Sequence, residues 1–405
     1  MIIVVLHDQG KAEEFKQILT AAGYAYSTFV NLHTLIKVEA DEATFTLKDH
    51  PLVKAIDGEP DKRTPIKPLA VTVPENGINH KPYTYDISHG SWPRARICRR
   101  KNPFRRSAPH TLKDTSYVYT RTGVGVDVYI LDVGVAPSHP EFEGRLTDYS
   151  GSFTDVLSEP GNNHGTLSAS CAAGSTCGIA TGARIWWLDA GLFYAASDWA
   201  KLFDDTLTHY NANPDKTRPA VLNMSYGALE GSPVVMEAAI GAVIDAGIFC
   251  CFPAGNGLED HDAVNYIPAE VDVDAVTVGG TNASDGLMWW TFWGTGYGSG
   301  VDLYAPGFAL KGAHPPDIYW NVNGTSFATP FTTGVVACML EGYTRMTSRA
   351  EVQALKTKLI ANTTKGALDI PPTHSIYRGE GSVNNRLLYL DPLVAIEDIP
   401  GLIKL

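Results

Sequence analysis

From about residue 120 the chain alternates short apolar runs with longer helical ones, and that alternation leaves few architectures open. VDVYIL (126–131), RIWWL (184–188), AVLNM (220–224) and GIFCCF (247–252) read as buried strands. Between them lie DWAKLFDDTLTHY (198–210) and SPVVMEAAIGAVIDAG (232–247), the latter with Ser232 as N-cap and Pro233 at the first helical position. Strands that alternate with helices predict an α/β fold, a doubly wound, mostly parallel sheet with flanking helices. Ligands of such sheets sit at the carboxyl ends of the strands, so residues that close a strand or open a helix are the ones to inspect.

The first 60 residues follow a different pattern. IIVVL (2–6) reads as a strand, and Phe15, Ile18, Leu19 and Ala22 share one helical face that stops at Gly23. AYSTFV (25–30) and LHTLIKVEA (32–40) read as strands, DEATFTLKDHP (41–51) as a short helix with an acidic start, and LVKAIDG (52–58) as a last strand. The order βαββαβ is that of a small ferredoxin-like α+β unit. The next stretch, to about residue 90, is rich in Pro, Lys and Asn, which is linker composition. The expected organisation is a unit at 1–60, a linker at 61–88, a main domain at 89–392 and an apolar tail at 393–405.

Three polar motifs interrupt the apolar pattern where chemistry is expected. VYILDVGV ends a strand on Asp132, GNNHGTLSAS starts a small-residue helix at His164, and NGTSFATP starts another at Ser326. Nucleophile, base and orienting acid are the three parts of covalent acyl transfer. The chain order Asp, His, Ser differs from that of α/β-hydrolases and of chymotrypsin-like enzymes, and Ala328 stands where G-x-S-x-G needs its second glycine. Alone, Ser326 has a plainer reading as a helix cap and Asp132 as a strand-end cap.

Together with NHGT, LNMSYG, PAGN, NYIPA, TVGG, VDLYAPG and VNNRLLYL, these motifs resemble those of the subtilisin-like serine proteases, family S8, and within it the proteinase K-like branch. The resemblance covers roughly residues 88–392, and residues 1–60 are similar to an I9-type propeptide. It implies Ser326 as nucleophile, His164 as general base and acid, and Asp132 as the residue that holds the imidazole. Asn256 and the Ser326 N–H would form the oxyanion hole. Ser225, Tyr226 and Gly227 would pair with an extended polypeptide substrate, and Ala254, Gly255 and Tyr266 would line a primary pocket without an acid, suited to broad or apolar side chains. No cofactor is needed for this chemistry. The resemblance also implies a structural calcium held by Asp302 and the carbonyls of Val273 and Ala275. It implies further that residues 1–60 inhibit the enzyme until a cut within the linker, for which KPLAV (67–71) is a candidate. Two alternatives are a dedicated processing protease with one partner and a protease-like protein that binds without turnover. The chain departs from the family with HGTLSAS for HGTHCAG, with Phe327 for Met, and with LDAGLFYAASDW for a glycine-rich edge.

A net charge of −12 argues against nucleic acid as a partner. The N-terminal apolar run is too short for a Sec signal or a membrane span, so an intracellular or particle-associated protein is expected. The six cysteines lack zinc spacing and read as free buried thiols, with a Cys171–Cys177 bridge as the alternative. RARICRRKNPFRR (94–106) carries seven positive charges and admits three readings: a solvated basic face, a processing site, or an anion-docking patch.

Overall fold

A computed structural model of the chain describes residues 1–58, 71–72, 92–103, 117, 119–149, 163–191, 196–227, 233–257, 263, 266–269, 271–290, 293–369, 384–390 and 399–404.

In the N-terminal unit, β1 (Ile2–Leu6), α1 (Ala12–Ala21), β2 (Tyr26–Thr28), β3 (Leu35–Val38) and β4 (Val53–Gly58) follow in order. The strands form an antiparallel sheet in the order β2-β3-β1-β4, that of a split β-α-β motif. The helix expected over 41–51 is absent. Asp41 Oδ1 takes the Thr44 N–H, and the Tyr24 hydroxyl takes the Thr46 N–H while donating to Thr44 O. Side chains that capture backbone groups in this way favour turns over a helix.

Strand β1 is buried on both faces, which explains its unbroken apolar run. Ile2, Val4 and Leu6 pack with Phe15 and Leu19 of α1, whereas Ile3 and Val5 join the core of the main domain. The unit sits on two helices of that domain, Ala196–Ala212 and Pro233–Asp245. Asp204 accepts the N–H groups of Val30 (2.7 Å) and Asn31 (2.5 Å), and the Asn31 amide donates to Thr208 Oγ1 (2.8 Å).

β5 (Val71–Thr72) and α2 (Trp92–Ile97) lead into the main domain, where a nine-stranded sheet forms. Its first five strands in sequence are β6 (Asp127–Asp132), β7 (Leu146–Asp148), β8 (Arg184–Asp189), β9 (Ala220–Met224) and β10 (Phe249–Pro253). Between them run α3 (His164–Ala173), α4 (Ala196–Ala212) and α5 (Pro233–Asp245). Two short strands, β11 (Asn256–Gly257) and, after β12 (Val276–Thr281) and β13 (Trp289–Trp290), β14 (Trp293–Thr295), build a small side sheet with β13. The chain continues through β15 (Leu303–Pro306), the hairpin β16 (Leu310–His314) and β17 (Ile318–Asn323), α6 (Thr325–Leu340), α7 (Arg349–Asn362), β18 (Thr364–Lys365) and β19 (Arg386–Leu387). The large sheet runs β18-β19-β15-β12-β10-β9-β6-β8-β7 and is parallel except at the β18–β19 edge. The four expected strands and the helices of the main domain are all present, so the α/β class holds. Ser232, expected as an N-cap, lies outside the described residues.

As far as residue 103 the basic segment is a solvated face only in part: Arg100 and Lys101 are exposed, whereas Arg94 and Arg99 are half-buried. Arg96 is wholly buried and bidentate to Asp285, through Nε (2.6 Å) and Nη2 (3.1 Å). Arg100 donates to the carbonyls of Asn362 (2.7 Å) and Thr363 (2.9 Å), the negative end of the α7 dipole. Residues 104–106 lie outside the described residues. The end of the tail packs on the domain: Ile399 is buried, and Thr344 N donates to Ile403 O (2.8 Å). All six cysteines are buried and free, so Cys171 and Cys177 are not bridged. No described helix is long and apolar enough to cross a membrane.

Candidate active site

Asp132 is the last residue of β6, His164 the first of α3 and Ser326 the second of α6. All three are buried. The parallel sheet brings β6 beside β9 and β8, and α3 packs on α6, so the strand end and the two helix starts meet at one edge. His164 is held by its own helix start, where Gly165 N donates to Val133 O (2.7 Å) and Thr166 N to Gly134 O (3.1 Å), in the loop that leaves β6.

His164 Nδ1 lies 2.7 Å from Asp132 Oδ1, which also accepts the Val133 N–H (2.8 Å). The backbone of Asp132 is fixed in turn, its carbonyl accepting Trp187 Nε1–H (2.9 Å) and the Ala190 N–H (3.0 Å). With the carboxylate on Nδ1, that nitrogen carries the proton, and Nε2 is the imidazole's basic end. Nε2 is buried and has no hydrogen-bond partner. The Ser326 hydroxyl donates instead to Ser225 O (3.2 Å). The His–Asp arm is therefore made and the Ser–His arm is not. Phe327, the residue after Ser326, stacks at a tilt on His164 with centroids 5.2 Å apart, which fixes the imidazole over the start of α6.

Pro330 sits four residues after Ser326, inside α6. Having no N–H, it leaves the Ser326 carbonyl without its helical donor. Ser225 fills the vacancy: its hydroxyl donates to Ser326 O at 2.7 Å. Asn223 Nδ2 donates to Ser225 Oγ (3.0 Å), and Thr333 Oγ1 donates to Asn223 Oδ1 (3.2 Å). Ser225 thus holds the nucleophile's backbone with its side chain and the nucleophile's hydroxyl with its carbonyl. Asn223 belongs to this site although the sequence reading did not single it out. The signal was there, a buried amide in the otherwise apolar AVLNM.

Gly324 precedes α6 at φ 149°, a backbone that only glycine adopts readily, and so turns β17 into the helix. The N–H of Ser326, in the first helical turn, has no intrahelical acceptor to reach. Asn256 Oδ1 accepts the N–H (2.9 Å) and hydroxyl (3.1 Å) of Thr325. An N–H needs an acceptor, so these bonds identify the oxygen end of the amide and leave its NH2 as the donor end. The Asn256 amide is thereby tied to the start of α6, one residue before Ser326.

Ser225, Tyr226 and Gly227 continue directly from β9. A side chain at Gly227 would meet the Tyr266 ring and the Ile267 carbonyl, so Tyr266 closes against this segment. Ala254 and Gly255 link β10 to β11 and lead into Asn256. The Tyr226 ring is fully buried, edge-on to His164 at 6.4 Å, and burial pushes its hydroxyl pKa up. Its side chain therefore packs beside the histidine.

The oxygens expected around a calcium, Asp302 Oδ2 and the carbonyls of Val273 and Ala275, do converge. They converge on Lys356 Nζ, at 2.9, 2.8 and 2.6 Å. A metal ion does not fit at this position as the residues stand, because an ammonium fills it.

The profile of the subtilase family (Peptidase_S8) matches residues 123–381. The extracellular serine proteinase of Thermus sp. (strain Rt41A) is 33% identical over 280 residues, 65% of this chain and 62% of that protein. The alkaline serine exoprotease A of Vibrio alginolyticus is 32% identical over 244 residues, 60% of this chain and 43% of that protein. The chain spans less than two thirds of the length of either relative. A cold adapted subtilisin-like serine proteinase of solved structure superposes with a TM-score of 0.57 at 29% identity, over 75% of this chain and 98% of that one. Fervidolysin from Fervidobacterium pennivorans, a keratinolytic enzyme related to subtilisin, shares the fold with a TM-score of 0.61 at 16% identity, over 99% of this chain and 61% of its own.

Proposed function

The chain belongs to the subtilase family, and from that premise we propose that it is a serine endopeptidase made as a zymogen. The observation that carries this reading is the buried His164–Asp132 pair beside a serine at a helix N-terminus. Acyl transfer follows from these groups. The Ser326 hydroxyl exchanges the Ser225 carbonyl for His164 Nε2 and attacks the scissile carbonyl as its proton passes to Nε2. Asp132 stabilises the imidazolium that forms. Negative charge on the former carbonyl oxygen is met by the Asn256 amide, the Ser326 N–H and the positive end of α6. His164 then gives its proton to the leaving amine. Water repeats the sequence on the acyl-enzyme and frees the acid.

Substrate would run as an extended chain along Ser225–Gly227, its leading side chain against Ala254, Gly255 and Tyr266. None of these is acidic, which suits an apolar or broad preference. The N-terminal unit would be an I9-type propeptide. Two observations support that role: its attachment through Asp204 on α4, and the backbone of β5. That strand pairs antiparallel with β17, Val71 opposite Asn323, three residues before Ser326. In this register β5 runs away from Ser326, so its start is the end nearer the nucleophile, and the cut is proposed within a few residues before Val71. Most of KPLAV itself lies outside the described residues.

The test is the intact mass of the purified chain beside Ser326→Ala, followed by a fluorophosphonate probe. The expected result is loss of roughly the first 70 residues from the wild type, with the variant whole and only the wild type labelled. Full-length wild type that also resists the probe would overturn the enzyme reading. Full-length wild type that takes the probe would overturn only the zymogen.

A further inference from the structure

Helix α7 holds the loop before β12 with two cations on one face, two turns apart. Near its start, Arg349 Nη1 donates to Asp272 (2.9 Å) and Asp274 (2.7 Å). Seven residues on, Lys356 Nζ donates to Val273 O, Ala275 O and Asp302 Oδ2. An ammonium has three N–H groups, and all three are used. Asp302 is held in turn, its Oδ2 accepting the Thr277 N–H (2.9 Å) and its own N–H donating to Thr277 O (3.0 Å). The lysine side chain is 16% exposed and the aspartate 23%. Two neutral carbonyls and one carboxylate aimed at one point describe a cation position.

A divalent ion there would need about six to eight oxygens at about 2.3–2.6 Å. Three oxygens are present and Nζ stands among them. Among the described residues, the loop's other carboxylates, Asp272 and Asp274, are engaged by Arg349. The cleft beside the position is lined by Lys365 and Arg386 as well as Lys356, and like charge repels a further cation.

We infer that Lys356 is the resident cation of this site, a covalently attached ammonium in the place a calcium ion would take, so that this corner of the fold is indifferent to calcium. The inference concerns stability and is independent of the peptidase reading. Its function is to fix the 272–277 loop and the start of β15 to α7, at the start of β12, the neighbour of β10 that leads into Ala254 and Asn256. A tethered ion cannot be lost to dilution or to a chelator.

The test is thermal unfolding of the full chain carrying Ser326→Ala, which keeps the chain intact, in EGTA and in millimolar calcium. It is repeated in the same background with Asp302→Asn and with Lys356→Met. In EGTA, Lys356→Met is expected to lower Tm by about 2–4 °C. Any rise in Tm on adding calcium is expected to be equal with and without Asp302→Asn. A calcium-induced rise that Asp302→Asn abolishes would place an ion at this site and overturn the inference. So would Lys356→Met unfolding at the parent's temperature. Should Lys356→Met fail to fold, the comparison with Asp302→Asn decides alone.

Discussion

His209 shows how one buried ring ties stability to pH. It closes α4 against the sheet, with Nδ1 2.9 Å from the Tyr129 hydroxyl and its ring 4.3 Å from those of Tyr149 and Trp186. Burial lowers its pKa, the field of Arg184 acts in the same sense, and that of Asp127 opposes them. A base whose folded pKa lies below its unfolded value of about 6.5 is protonated more readily in the unfolded chain. Its contribution is therefore complete above about pH 6.5 and is lost as pH falls toward the folded pKa. His314, lowered by burial too, adds to the same trend. His209→Gln keeps an acceptor for Tyr129 without the titration. Urea midpoints should show wild type above the variant at pH 7.5, with the gap narrowing by pH 5. A constant gap would mean that packing alone separates them.

At the scale of elements, α6 and β9 share a polar seam that replaces one helical hydrogen bond. Ser225→Ala removes the donor to a buried carbonyl and should cost about 1–3 kcal/mol. Pro330→Ala returns an N–H to the same carbonyl, so Ser225→Ala should cost markedly less in that background. A double-mutant cycle by urea denaturation reads the coupling directly, and additive changes would show that the seam does not depend on the proline. The sequence displayed both ends of this arrangement, SYG and TSFATP, but not the bond between them, because that bond depends on how β9 and α6 lie in the sheet. The same limit applies elsewhere. The Asp132, His164 and Ser326 motifs were legible because each sits where periodicity breaks. The stretch 41–51 misled because its acidic start looks like a helix N-terminus, while Asp41 itself and Tyr24, seventeen residues upstream, take the backbone groups. Lys356 left no trace, since a lysine in ALKTKLI looks like any solvated helix residue until α7 is placed over the 272–277 loop.

For the molecule as a whole, the N-terminal unit and the main domain share a core across a boundary that the sequence marks only by a change of pattern. Asp204 accepts two backbone N–H groups from the unit, and hydrogen bonds to a charged acceptor are worth about 1.5–3 kcal/mol. Asp204→Ala should therefore loosen the docked unit about tenfold or more. On the proposed zymogen reading, with peptide hydrolysis followed alongside mass loss, the lag between the cut and full activity should shorten. An unchanged lag would mean that the apolar face of Ile3 and Val5, not the carboxylate, sets the release.

The six thiols lie inside this shared interior and its neighbours, and burial raises the pKa of Cys177 and Cys251 to about 12, with Cys171, Cys250 and Cys338 also raised. A thiol held in that form is neither a nucleophile nor a ready partner for oxidation. These five thiols thus give the folded chain no gauge of its redox surroundings, and only a molecule that has come open would expose them to it.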